Sequence, residues 1–151
     1  MTRQIRHTHN QHSTVHPKPD RGSDQNFIDQ LTTLLLQFPQ IKLALLFGSQ
    51  ASGNVHPDSD IDLGILAQAP LSADFKLQLM QTVGAKFGRP VDIVDLYHVP
   101  EPITGQALSG IRLLGDDTVC GNLLYRHLLN VADFFPLQQR ILTERRNRWI
   151  K

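Results

Sequence analysis

The stretch that decides the fold is Leu46–Leu66, LFGSQASGNVHPDSDIDLGIL. It reads as the end of an apolar strand, a Gly48-Ser49 turn, a polar loop, and a second apolar run, DIDLGIL, from Asp60 to Leu66. Asp60 and Asp62 interrupt that run at alternating positions, so on an extended strand they share a face while Ile61 and Leu63 share the other. Buried charge costs several kcal/mol unless it is paired or bound to a metal. Two carboxylates about 6–7 Å apart along a strand repel, and one takes up a proton unless a cation sits between them. Hard divalent cations with oxygen ligands resolve the conflict, and Mg2+ suits carboxylates combined with substrate phosphates. A pair of such ions about 3.5–4 Å apart can stabilise the attacking and leaving oxygens of an in-line phosphoryl or nucleotidyl transfer.

The turn supplies the other half of a site. A glycine where the first strand ends lets backbone N–H groups approach a phosphate, and a following helical turn adds its positive dipole end. The Ser49 hydroxyl can donate to the same phosphate. A phosphate cradle beside a metal-binding strand is what a nucleoside triphosphate requires. Competing motifs fail on their own spacing. Gly48 and Gly53 are placed as in a Walker A loop, but Asn54 and Val55 stand where Lys and Ser/Thr belong. Asp58, Asp60 and Asp62 open like an EF-hand loop, but its glycine position holds Leu63 and its last position holds Ala69. No G-x-G-x-x-G is present.

Outward from this stretch, Ser23 or Asp24 is placed to cap a helix carrying Phe27, Leu31, Leu34, Leu35 and Phe38 at the helical period, ended by Pro39. IKLALLF, Ile41–Phe47, is a short continuous apolar run suited to a strand covered on both faces. Ser72 caps a second helix, with Phe75, Leu79, Met80, Val83 and Phe87 on one face and Gly88 and Pro90 closing it. VDIVDLY, Val91–Tyr97, is a third strand, and Pro102 opens a short helix to about Ser109. IRLLG, from Ile111, is a fourth strand or edge segment, and a helical tail runs from Asp117 to Lys151, broken or kinked near Pro136. The order αββαβαβα, without an internal repeat, predicts an α/β protein in which helices flank one sheet.

Composition fits that picture and excludes others. The chain has 151 residues, enough for a single core without staples. A formal net charge of +1 gives no global field of the kind a nucleic-acid binder carries, so direct nucleic-acid binding is not expected. Cys120, the one cysteine, leaves no internal disulfide and no cysteine-rich zinc site; it reads as a small buried side chain. No apolar run approaches the about 20 residues of a membrane helix, and no secretory signal is visible, so a cytoplasmic location away from membranes is expected. Residues 1–22 are polar and aperiodic and read as a disordered leader; His7, His9, His12 and His16 within it match no rigid metal site. Residues 23–151 then form the one domain.

The pattern Gly48-Ser49, ten residues, Asp60-Ile61-Asp62 resembles the DNA polymerase β-type nucleotidyltransferase superfamily, and within it the minimal nucleotidyltransferases, or MNT proteins. The resemblance covers about Phe27 to Tyr125. It implies a mixed sheet with helices, a bound nucleoside triphosphate and three catalytic, metal-binding carboxylates: Asp60, Asp62 and a third on the next strand. In the family the third follows the first apolar residue of that strand, which points to Asp92. Asp95 faces the other way by alternation and reads as a solvated strand-end residue.

MNT proteins act as antitoxins of HEPN ribonuclease toxins. The resemblance therefore implies a Mg2+-dependent antitoxin, with two ions, that transfers AMP from ATP to a tyrosine of its HEPN partner within a hetero-oligomer. The alternatives are transfer to a small molecule and neutralisation by binding alone. The last is kept open by Ser52, which stands where many relatives have arginine; Lys42, Lys86, Arg89 and Arg112 are candidate replacements for that charge. The basic tail RILTERRNRWIK, Arg140–Lys151, reads as a solvated helix end, or more sharply as a docking surface for an acidic partner or RNA with Trp149 as an anchor. Tyr125 and His127 read as packing residues.

Overall fold

The computed structural model describes residues 21–51 and 59–149. The leader through Asp20, with its four histidines, and the loop positions Ser52 and Asp58 lie outside the described residues. The elements are α1 (Arg21–Leu35), β1 (Ile41–Phe47), a 3-10 turn (Gly48–Gln50), β2 (Ile61–Ala67), α2 (Ala73–Phe87), β3 (Val91–Asp95), α3 (Ile103–Leu108), β4 (Ile111–Leu114) and α4 (Asp117–Trp149). The four strands form one mixed sheet in the order β3-β2-β1-β4. β1 runs antiparallel to both β2 and β4, while β2 and β3 are parallel and are joined by α2. Parallel neighbours need such a crossover, and α2 supplies it.

Strand alternation sorts the sheet onto two cores. Ala44 and Leu46 of β1, Ile61, Leu63 and Ile65 of β2, and Val91 and Ile93 of β3 pack with Leu31 and Leu35 of α1 and Leu79 and Val83 of α2. The opposite face carries Leu43, Leu45 and Phe47, packed with Leu96, Ala107 of α3 and Leu123 of α4. Because β1 is central and covered on both sides, Leu43 to Phe47 are all buried, which is why its sequence shows no polar alternation. Local signals set the ends of α2. The Ser72 hydroxyl accepts from the Phe75 N–H at 3.2 Å, and Gly88 closes the helix in the left-handed conformation at φ 64°.

Several expectations are corrected. α1 already includes Arg21 and Gly22, so neither Ser23 nor Asp24 is its cap, and Asp24 lies in its first turn. The helix stops at Leu35, four residues before Pro39, because Gln37 and Phe38 bond back to Leu34 and Leu35 in a tight turn. β2 begins at Ile61, leaving Asp60 just outside it. β3 ends at Asp95, and after one more bond across to β2, from the Leu96 N–H to the Ile65 carbonyl, the chain turns. α3 begins at Ile103 with Pro102 as its cap residue. α4 is continuous through Pro136, so of the break or kink expected there the break does not occur. Tyr125 is 66% exposed and packs on neither core; its neighbour His127 is largely buried, with Nδ1 2.8 Å from Glu101 Oε2 though not aligned as a hydrogen bond. Cys120 is half-buried against the α3–α4 core, short of the full burial expected. No described helix is long and apolar enough to cross a membrane.

Candidate active site

Two of the sequence-predicted carboxylates lie side by side. Asp62 is in register with Asp92 across the parallel β2–β3 ladder, and with Phe47 across β1–β2. Adjacent strands are about 4.8 Å apart, so the two carboxylates occupy neighbouring rungs. Their flanking residues, Ile61, Leu63, Val91 and Ile93, belong to the α1–α2 core, so alternation turns both aspartates to the opposite face. On that face they stand at the sheet end where β1 gives way to the 3-10 turn, and Asp60 lies two residues before Asp62, just ahead of β2.

The three charges act on one another. The Asp62 carboxyl is pushed above its ordinary value of 3.8, first by burial, then by the charge of Asp92, then by that of Asp60. Asp62 is half-buried, while Asp60 and Asp92 are exposed. The folded state therefore holds the Asp62 proton more tightly than the unfolded chain does. Stability falls as pH rises from 3.8 through the raised value, and the repulsion is fully present above it. We expect Asp62→Asn to melt above the wild type at pH 7, with the gap narrowing as pH falls below 3.8. Thermal melts at the two pH values check this.

Gly48 faces this group. Its φ is +70°, and a Cβ built on it would overlap Asp62 Oδ2 and lie 3.1 Å from Asp62 Cγ. The turn Gly48–Gln50 thus starts directly against the carboxylate, a closeness only glycine permits. A cleft of about 630 Å³ opens here, lined by Gly48, Ala51, Asp62, Gln106, Ser109 and Gly110. Its far wall is the end of α3, pressed onto β1 so closely that a Cβ on Gly110 would overlap the Leu46 carbonyl. Gln106 and Ser109 are site-lining residues that the sequence reading missed. The only available signal was Gly110, a glycine between a helix and an edge strand.

Asp95 is separate and is not a solvated strand end. Its Oδ2 accepts from the Leu71 N–H at 2.9 Å and its Oδ1 from the Tyr97 N–H at 3.0 Å, on the α1–α2 side. It fastens the β2–α2 connection to the end of β3. Asp95→Ala is expected to cost about 1–3 kcal/mol in urea denaturation by leaving the part-buried Leu71 N–H unpaired, with the Asp62 site unaffected. The candidate cations are likewise placed. Arg112 pairs with Asp117 at 2.7 Å, Lys86 lines a cleft with α1, and Lys42 stands at the opposite end of β1 from Gly48. Arg89 bonds to Ser59, beside Asp60.

The family model described as "Polymerase beta, Nucleotidyltransferase" matches residues 29–118, which holds the whole sheet. The chain belongs to this nucleotidyltransferase family. It is 38% identical over 78 residues to the protein adenylyltransferase MntA of Shewanella oneidensis, covering 51% of this chain and 56% of that protein. The match thus spans little more than half the length of the curated relative. Among solved structures, a toxin–antitoxin with AMP-PNP superposes with a TM-score of 0.69 at 24% identity, over 78% of this chain and 96% of the other. A MNT antitoxin in complex with a tri-AMPylated HEPN toxin of Shewanella oneidensis gives 0.66 at 22%, over 80% and 97%. These likenesses establish the polymerase β-type nucleotidyltransferase fold.

For a nucleotidyltransferase of this fold the question is whether the edge suits a divalent cation. The donors are carboxylate oxygens alone, the hard ligands Mg2+ prefers. Burial first, and then the charges of Asp92 and Asp60, push the Asp62 carboxyl upward, and a cation held there would oppose that push. In the chemistry of their donors the residues therefore fit such an ion. Among the described residues, however, no three His, Cys, Asp or Glu side chains close on one point as ready-made metal ligands.

Proposed function

We propose that the chain is an MNT-type antitoxin that transfers AMP from ATP to a tyrosine of a partner HEPN ribonuclease, neutralising it in a hetero-oligomer. The observation that carries this reading is the pairing of Asp62 with Asp92 against Gly48, at the mouth of an open cleft. The identity to a protein adenylyltransferase and the fold shared with MNT–HEPN complexes support it.

In this reading the cleft beside Gly48 and Ala51 receives the triphosphate, and the backbone of the Gly48–Gln50 turn lies against it. Asp60, Asp62 and Asp92 would hold Mg2+. Bound there, the ion neutralises triphosphate charge that three carboxylates would otherwise repel. Asp62, half-buried and wedged by Gly48, is the fixed member. Asp92, exposed on the neighbouring strand, is open to an incoming group and can take the hydroxyl proton of the tyrosine. The phenolic oxygen bonds to the α-phosphorus as the bond to pyrophosphate breaks. No covalent enzyme intermediate is needed, and positioning with electrostatics lowers the barrier. Such a reaction belongs in the cytoplasm, where ATP and a ribonuclease target are at hand.

The test is to incubate the chain with ATP, Mg2+ and a HEPN partner and weigh the partner intact. Added AMP on a tyrosine, with ribonuclease activity lost in parallel, is the expected result. Ribonuclease activity lost without any added mass would overturn the transfer and leave neutralisation by binding, the reading that Ser52 keeps open.

A further inference from the structure

Asp60 is bracketed by two anchors from one short segment. On its N-terminal side, the Arg89 guanidinium donates from Nε at 2.9 Å and from Nη2 at 2.5 Å to the Ser59 carbonyl, and from Nη2 at 3.3 Å to the Ser59 hydroxyl. On its C-terminal side, the Ile61 N–H donates to the Pro90 carbonyl at 2.9 Å. Arg89 and Pro90 lead directly into Val91 and Asp92. The carboxylate that lies outside the ladder is thus held to the same stretch of chain that carries the third one.

The guanidinium is itself fixed. Its carbon lies 5.5 Å from the centroid of the Phe27 ring, and Phe27 meets Phe87 edge-on at 4.9 Å between centroids. Phe27 comes from α1 and Phe87 from the end of α2, so both helices of that layer bear on the group that grips Ser59. A planar fork with two donors on one oxygen is geometry that lysine cannot copy.

We propose that Arg89 is the positioning residue that sets Asp60 beside Asp62 and Asp92 for cation binding. This rests on the nucleotidyl-transfer reading of the edge. Arg89 acts through Ser59 and not on the triphosphate. Partners that orient metal ligands typically govern affinity by about 10- to 100-fold, and a misplaced reacting group costs about 100-fold in rate.

The test uses the full chain as wild type, Arg89→Lys and Arg89→Ala, with melting curves to confirm that each variant is folded. Mn2+ binding in the presence of AMP-PNP is read from the loss of the free-ion paramagnetic resonance signal, and AMP transfer is read separately. Both variants should bind Mn2+ about 10-fold or more weakly, and lose kcat with the KM for ATP little changed. Rescue by lysine, with a raised KM only in the alanine variant, would make Arg89 a phosphate-binding cation and overturn the proposal. Wild-type Mn2+ affinity in the alanine variant would overturn it too, as would a wild type that binds no Mn2+. If no protein transfers AMP but the variants still lose Mn2+, the transfer reading fails and the positioning role stands.

Discussion

Asp62→Asn is expected to lower kcat for AMP transfer by about 1,000-fold or more, equivalent to about 4 kcal/mol of barrier, while the protein stays folded. Asp62 is the carboxylate with neighbours on every side: Phe47 and Asp92 across its two ladders, and Gly48 against its oxygen. Asparagine keeps the shape and removes the charge. It also removes the burial of a charge, and the repulsion from Asp92 and Asp60, that together push the carboxyl upward, so loss of activity should come with a gain in stability at neutral pH. Core residues behave oppositely, losing stability and activity together. Adding Mg2+ should raise the melting temperature of the wild type and leave that of Asp62→Asn unmoved, since binding to the native state alone stabilises it.

Gly48→Ala should be nearly as severe for a different reason. At φ +70° a side chain costs about 1–2 kcal/mol in backbone strain. The added Cβ would also drive Asp62 Oδ2 from its place, and a shift of that kind costs about 100-fold in rate. Gly88 separates the two effects. It sits at φ +64°, but a Cβ there would meet nothing within 4 Å. Gly88→Ala should therefore show the strain alone in denaturation and keep kcat within about 2-fold. Comparable losses of activity in both variants would mean that the contact with Asp62 is irrelevant.

Much of this was legible in the sequence because the signals were local. The eight elements follow from helical period, apolar runs and caps such as Ser72 and Gly88, whose bonds form within a few residues of themselves. Gly48, Asp60 and Asp62 stood out because glycine at a strand end and charge in an apolar run each violate a local rule. The family resemblance was needed to choose Asp92 over Asp95. Once the fold is present, the choice has a physical basis: alternation turns Asp92 toward Asp62, and Asp95 is tied to the Leu71 and Tyr97 amides. What was not legible depends on distant pairing. Gln106 and Ser109 reach the cleft only because α3 folds back over β1, and Arg89 meets Ser59 across thirty positions of sequence. Neither contact leaves a periodic or spacing signal. The end of α1 was misjudged for a smaller reason, since a proline marks the last place a helix can stop and not the place it does.

The central claim is that the Asp60, Asp62 and Asp92 edge transfers a nucleotide. It is tested most directly with ATP labelled at either the α- or the γ-phosphate, supplied with Mg2+ and a HEPN partner. The account predicts that α-label reaches the partner's tyrosine, that γ-label leaves as pyrophosphate, and that Asp62→Asn blocks the transfer. Transfer of γ-label to the partner, or α-label transfer undiminished in Asp62→Asn, would contradict it.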